Sequence, residues 1–235
     1  MLQGSGRCWT RHARRGVRAL ATARPRILLG IESSCDDSCA SVVTSDRKIL
    51  SSVVLKQDHA DTEGIHPLHA ARGHHTNVPL AIARALKEAD VPASELDGIA
   101  VTQGPGMPGC LAVGMAAGKT LSTVLSKPIV YVHHMRAHAL TPLLTEESPP
   151  TFPFLTLLVS GGHTLLVLAH TLDRFQVLAT TLDDSVGNTF DKFARGLELG
   201  WQSAPGALVE KLAAEHTDAE AEELPKIMLG APSFS

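Results

Sequence analysis

Two histidines carry the plainest chemical spacing in this chain. His134 and His138 stand four residues apart in the segment HHMRAH. On a helix that spacing puts both imidazoles on one face, as two ligands of one metal ion require. The glutamate of an H-E-x-x-H protease motif is absent, because Met135 follows His134. The chain holds 12 histidines, so a chance pair on a helix surface is the bland alternative. A metal site also needs a third ligand from elsewhere.

Carboxylates and glycines form the second set. Glu32, Asp36 and Asp37 lie in a polar turn after the first apolar run. Carboxylates there either hold a metal-bound phosphate or cap the turn. The segment from Val159 to Thr164, VSGGHT, puts Gly161 and Gly162 at a strand end. Two glycines let backbone N–H groups approach an anionic or carbonyl ligand, and they also suit an ordinary hairpin. Asp183, Asp184, Asp191 and Lys192 make either a polar rim or an N-cap for a helix near Gly187.

Two glycine-rich segments fail as nucleotide motifs. Gly104 to Gly109, GPGMPG, fits G-x-G-x-x-G between a strand and a helix. The acidic residue expected at the end of the next strand is missing, since that strand runs into His133 and His134. A tight loop lining a cleft is the better reading. Gly114 to Thr120, GMAAGKT, has three residues between its glycines where a P-loop needs four. It also falls within a helix, whose amides are already bonded, and its small residues suit close packing.

The elements that position these residues follow from apolar patterning. Strands are expected over Ile27–Ile31, Ser38–Val43, Ile49–Leu55, Gly98–Thr102 and Pro128–Val132. A helix is expected from His66 to Ala89, with apolar positions Leu80, Ile82, Ala83 and Leu86 and a regular part starting late, near Asn77 and Pro79. Leu111–Leu125 and His134–Leu144 are the next helices. Thr145 to Pro150 reads as a linker. The opening pattern then recurs, with strands at Phe154–Val159, His163–Ala169 and Phe175–Leu182 and helices at Phe190–Leu197 and Ala207–Ala214. The strand–turn–strand–strand unit thus occurs twice, about 127 residues apart. Two similar α/β lobes with their polar turns facing one cleft would make a ligand site.

Charge is unevenly spread. Residues 1–26 hold seven arginines and no acid, leaving 14 basic against 24 acidic residues elsewhere, a formal charge of −10. An acidic body is not a broadly basic nucleic-acid-coating domain. Aromatic content of 4% excludes a base-stacking platform, and no apolar run is long enough for a spanning helix. The Arg-rich start reads as a mitochondrial or plastid transit peptide, cut between Leu20 and Arg26, against the alternative of a basic tail. Cys35, Cys39 and Cys110 make no disulfide framework or zinc pattern and read as reduced structural thiols, as a matrix location would have.

Five segments together carry a resemblance: ILLGIESSCDDSCASVV, TQGPGMPGCLAVGMAAGKTL, VHHMRAHAL, FLTLLVSGGHTLLVLA and DDSVGNTFDKFAR. In this order, from Ile27 to Ser235, they resemble the tRNA N6-adenosine threonylcarbamoyltransferase family, once called O-sialoglycoprotein endopeptidase-like. With the Arg-rich leader the chain looks like a mitochondrial member. The resemblance implies an α/β fold of the actin/sugar-kinase/Hsp70 type. It divides into a transit peptide over 1–26, a first lobe over 27–145 and a partial second lobe over 151–235.

The implied reaction moves a threonylcarbamoyl group from threonylcarbamoyl-AMP to the exocyclic amine of the adenosine beside the anticodon. The implied tRNAs are mitochondrial ones reading codons that start with A. His134 and His138 match the family's ligands to one divalent metal, zinc or iron. Val159, Ser160, Gly161, Gly162, His163, Asp191, Gly206 and Glu210 match positions that contact the acyl-adenylate, the last two on the looser SAPGALVEKLA segment. The family continues past PSFS, so the resemblance implies that the third metal ligand is not in this chain and that the site is incomplete. A homodimer acting on tRNA, with no membrane part, is implied as well. No general base is assigned; His163 is a candidate, and a structural role for it is the alternative. A metalloprotease, a small-molecule kinase of the same fold and a non-catalytic form are the competing expectations.

Overall fold

The computed structural model describes residues 24–59, 64–199 and 205–215. The first five strands form one sheet: β1 (Ile27–Glu32), β2 (Ser38–Thr44), β3 (Ile49–Leu55), β4 (Gly98–Gly104) and β5 (Ile129–His133). Their order is β3-β2-β1-β4-β5. β1, β2 and β3 run antiparallel through short turns, while β4 and β5 join in parallel. Parallel neighbours need crossovers, and the two helices α1 (Pro67–Glu88) and α2 (Pro108–Leu125) provide them.

Both helices cover one face of this sheet. Leu29, Ile31, Ala40, Val42, Val53, Ile99 and Val101 point into the core against Val78, Ala81, Ile82, Ala85 and Val113. The alternation along β1 places Leu29 at 0% exposure, and burying such a side chain contributes roughly 2–3 kcal/mol. Gly118 lets α2 approach β4 and β5 closely, since a Cβ there would lie 3.3 Å from Val101. The GMAAGKT segment is therefore helical packing surface, as expected.

α1 departs from its expected form in two ways. It runs unbroken from Pro67 through Pro79 to Glu88. Pro67 sits in the first turn, where a missing N–H costs nothing, and Pro79 is on the exposed side of the helix. Buried residues on both sides of Pro79, from Ala70 and His74 to Ala81 and Ala85, hold the helix across it. The apolar face is also rotated from the expected one. Leu80 is exposed, as is Ala83, and the inward row passes instead through His74, Val78, Ala81, Ile82 and Ala85.

After β5 the chain turns directly into α3 (His134–Leu140) and the short α4 (Pro142–Thr145). A second sheet follows: β6 (Phe154–Val159), β7 (Thr164–Ala169) and β8 (Phe175–Thr180), all antiparallel in that order. The duplicated unit is real, for β6–β8 repeat the pairing of β1–β3. Its surroundings differ. β1 has β4 on its second edge, whereas β6 has no second strand partner among the described residues. Along β6 only Leu158 is buried, against Ala139 of α3 and Val167 of β7, while Leu155, Leu157 and Val159 face outward. Two helices close the described chain, α5 (Val186–Gly196) and α6 (Pro205–Glu215). The architecture is mixed α/β, two sheets with helices, and α3 packs between the end of the first sheet and the face of the second.

Candidate active site

The turn after β1 is fixed on three sides. Ser33 Oγ donates to the Cys110 carbonyl at 2.9 Å, and the Met107 amide donates to the Ser34 carbonyl at 2.8 Å. Gly106 makes this approach possible, because a Cβ there would lie 2.6 Å from the Ser34 carbonyl oxygen. The GPGMPG loop thus clamps the first turn, in keeping with a cleft lining and not a dinucleotide site. On the third side His74, fully buried, bonds Ser38 Oγ through Nδ1 at 2.7 Å and the Cys35 carbonyl through Nε2 at 2.9 Å. A carbonyl only accepts, so Nε2 carries the proton and Nδ1 accepts from the Ser38 hydroxyl.

The three acids of that segment are placed differently. Asp36 lies 4.0 Å from His59 Nε2. Burial and the neighbouring Asp36 push the Asp37 carboxyl up, with Lys56 and His74 opposing. Glu32 reaches inward instead: its Oε1 accepts from the Ser34 amide at 2.6 Å and its Oε2 lies 3.3 Å from His134 Nδ1. Burial alone would raise the Glu32 carboxyl, but hydrogen bonds from Ser34 and Thr102 and the His134 ring hold it below the ordinary range. Burial, then Asp36, pushes Cys35 up to about 12, and burial with Asp37, Glu32 and Asp36 pushes Cys39 up to about 11. Cys35, Cys39 and Cys110 are all free, and burial raises Cys110 too.

His134 and His138 are brought together as their spacing predicts. Their rings stand at 88°, and the two Nε2 atoms are 3.1 Å apart. Two nitrogens at about 2.0–2.1 Å from one metal, at angles between square and tetrahedral, are themselves separated by about 2.9–3.4 Å. The pair therefore fits two adjacent positions of a single divalent ion. Burial lowers the pKa of His138, with His134 and His163 adding to this and Glu32 opposing it, which favours the neutral ring that a ligand must be. Among the described residues no group of three His, Cys, Asp or Glu converges to hold a metal.

The second turn is built from α5. Ser185 caps this helix, accepting from the Asn188 amide at 3.4 Å and donating to the Gly161 carbonyl at 2.6 Å. The Gly187 amide donates to the Ser160 carbonyl at 3.2 Å. Ser185, not Asp183 or Asp184, is thus the cap. Asp183 accepts from Thr181, and Asp184 pairs with Lys192 and accepts from Asn188. Within the turn Ser160 Oγ accepts from the Gly162 amide at 3.3 Å and the His163 amide at 3.0 Å. Those two N–H groups are therefore turned into the hairpin.

A cavity of about 600 Å³ opens beside this turn, lined by Gly161, Gly187, Phe190, Asp191, Gly206 and Glu210 together with Ala207, Val209 and Ala213. Four of the eight residues expected at a substrate site meet here. Asp191 Oδ1 accepts from the Gly206 amide at 3.2 Å, which seats α6 against α5. Val159 and Ser160 line a neighbouring cavity of about 430 Å³ with His138, Met135 and Glu146. Gly162 and His163 line neither of these. The sequence reading missed Gly187 and Phe190 as lining residues. Phe190 stands one position before Asp191 on α5, a signal that needs the helix start at Val186 to be read.

Residues 48–235 match the family model described as TsaD, tRNA N6-adenosine threonylcarbamoyltransferase. The chain belongs to that family. A relative bearing this name in Rickettsia bellii is 45% identical over 180 residues, which are 76% of this chain and 52% of the relative. One in Geotalea daltonii is 42% identical over 211 residues, 89% of this chain and 60% of the relative. The chain thus spans about half to three-fifths of the length of these relatives. Among solved structures, YeaZ from Pseudomonas aeruginosa aligns with a TM-score of 0.45 and 15% identity over 66% of this chain and 65% of that one. The ethanolamine utilization protein EutJ from Carboxydothermus hydrogenoformans aligns with a TM-score of 0.49 and 13% identity, over 80% and 62%.

Proposed function

We propose that this chain serves the transfer of a threonylcarbamoyl group from threonylcarbamoyl-AMP to the exocyclic amine of the adenosine beside the anticodon. The tRNAs would be mitochondrial ones reading codons that start with A. One observation carries the reading: the Ser160–Gly161 turn walls two cavities at once, Ser160 the one that holds His138 and Gly161 the one that holds Asp191 and Glu210. A nucleoside carries hydroxyls and an amine, which carboxylates accept well, so the acidic cavity suits the adenosine half of the donor. Phe190 offers the base an apolar surface. The acyl-phosphate end then points towards the turn and the histidine pair.

His134 and His138 would hold the divalent metal through Nε2, and the ion would supply Lewis-acid polarisation there. The free oxygen of Asp191 accepts from a ribose hydroxyl while its partner oxygen keeps Gly206 in place. The Arg-rich leader is a mitochondrial address in this reading, and its cleavage falls before Arg24. Arg24 pairs with Asp97 through both terminal nitrogens, at 2.9 and 3.1 Å, and the Arg26 amide donates to Ser45 Oγ at 3.0 Å, so these residues belong to the folded body.

Calorimetric titration with threonylcarbamoyl-AMP tests this. Asp191→Asn keeps an acceptor for the Gly206 amide but turns the other acceptor into a donor. It is expected to weaken binding at least tenfold, or ~1.4 kcal/mol. Absence of saturable binding to the wild-type chain, or equal affinity in the variant, would contradict the proposal.

A further inference from the structure

We propose that Glu32 is a positioning residue for His134, accepting a hydrogen bond from Nδ1–H so that the Nε2 lone pair is left facing His138. His134 Nδ1 has two neighbours at 3.3 Å, Glu32 Oε2 and Ser34 Oγ. A hydroxyl either donates or accepts and so permits both tautomers of the ring. A carboxylate oxygen only accepts. Glu32 therefore selects the tautomer with hydrogen on Nδ1, and the opposite ring nitrogen becomes the free donor pair a metal needs.

The carboxylate is not free to turn away. Its other oxygen holds the Ser34 amide at 2.6 Å, and Ser34 is itself held by the Met107 amide and by the close approach of Gly106. Two distant segments are in this way coupled to one imidazole: β1 with its turn, and the glycine-proline loop before α2. The consequence is chemical, because a ring with hydrogen on Nε2 cannot ligate through that atom.

The inference rests on the reading of His134 and His138 as metal ligands. The tautomer is read without metal or nucleotide, so that outcome is separate from the outcome of the acyl-transfer proposal. Long-range proton–nitrogen NMR of the chain with ¹⁵N-labelled histidine reads the tautomer, the His134 signals being those absent from His134→Gln. The wild-type ring is expected to carry hydrogen on Nδ1.

Glu32→Gln keeps the shape. Its amide oxygen stays on the Ser34 N–H, which puts the NH₂ group against Nδ1 as a donor. This variant is expected to move hydrogen to Nε2 and to weaken Zn²⁺ binding about 10–100-fold. Ser34→Ala is expected to leave the tautomer as it is. A wild-type ring with hydrogen on Nε2, or a Glu32→Gln ring still carrying it on Nδ1, would overturn the assignment.

Discussion

Gly187→Ala is expected to lower the affinity for threonylcarbamoyl-AMP at least tenfold and to destabilise the protein by about 2–3 kcal/mol. A Cβ at this position would stand 2.7 Å from the Gly161 nitrogen and from both the carbonyl carbon and the oxygen of Ser160. All three are backbone atoms, so no side chain can swing aside to relieve the overlap. The Gly187 amide also donates to that Ser160 oxygen, and the helix cannot retreat without losing the bond. The start of α5 would have to shift off the turn, moving Asp191 relative to Gly161 and altering the cavity they share. Calorimetry and urea unfolding measured together check this. Unchanged affinity with unchanged stability would show that α5 is not held tightly on the turn.

The second large effect belongs to His74. His74→Phe fills a similar volume but removes both of its hydrogen bonds. Ser38, at 0% exposure, and the Cys35 carbonyl would then lose their partner inside the protein. The buried Ser38 hydroxyl left without a partner costs about 1–3 kcal/mol, and a loss of that size is expected in urea unfolding at constant slope. The loss should extend to the site, because this imidazole ties α1 to the turn that carries Glu32 and Ser34. A change under about 1 kcal/mol would mean that His74 only fills space.

The spacing of His134 and His138, the repeated strand–turn–strand–strand unit and the helical nature of GMAAGKT were legible because each depends on local period alone. α1 was harder. Leu80 and Ala83 look as apolar as Ala81 and Ala85, and only contact with the sheet decides that the row through His74 and Val78 faces inward. Pro79 misled for the same reason, since tertiary packing overrides its local cost. The partnership of Glu32 with His134 joins residues 102 positions apart and no spacing rule reaches that far. The hydrogen bonds that turn Gly162 and His163 inward depend on where Ser160 Oγ points, which a glycine pair in a sequence does not specify. Gly187 drew notice only as a helix start. Its close approach to the backbone of Ser160 appears once the second turn and α5 are placed together.

Nucleoside analysis reads the proposed chemistry on the tRNA adenosine itself. Mitochondrial tRNA from cells in which the gene for this chain is deleted should be digested and its nucleosides quantified by mass spectrometry beside the undeleted parent. Threonylcarbamoyladenosine is expected to disappear from the mitochondrial tRNAs that read codons starting with A, while other modified nucleosides persist. An undiminished amount of threonylcarbamoyladenosine in those tRNAs would contradict it.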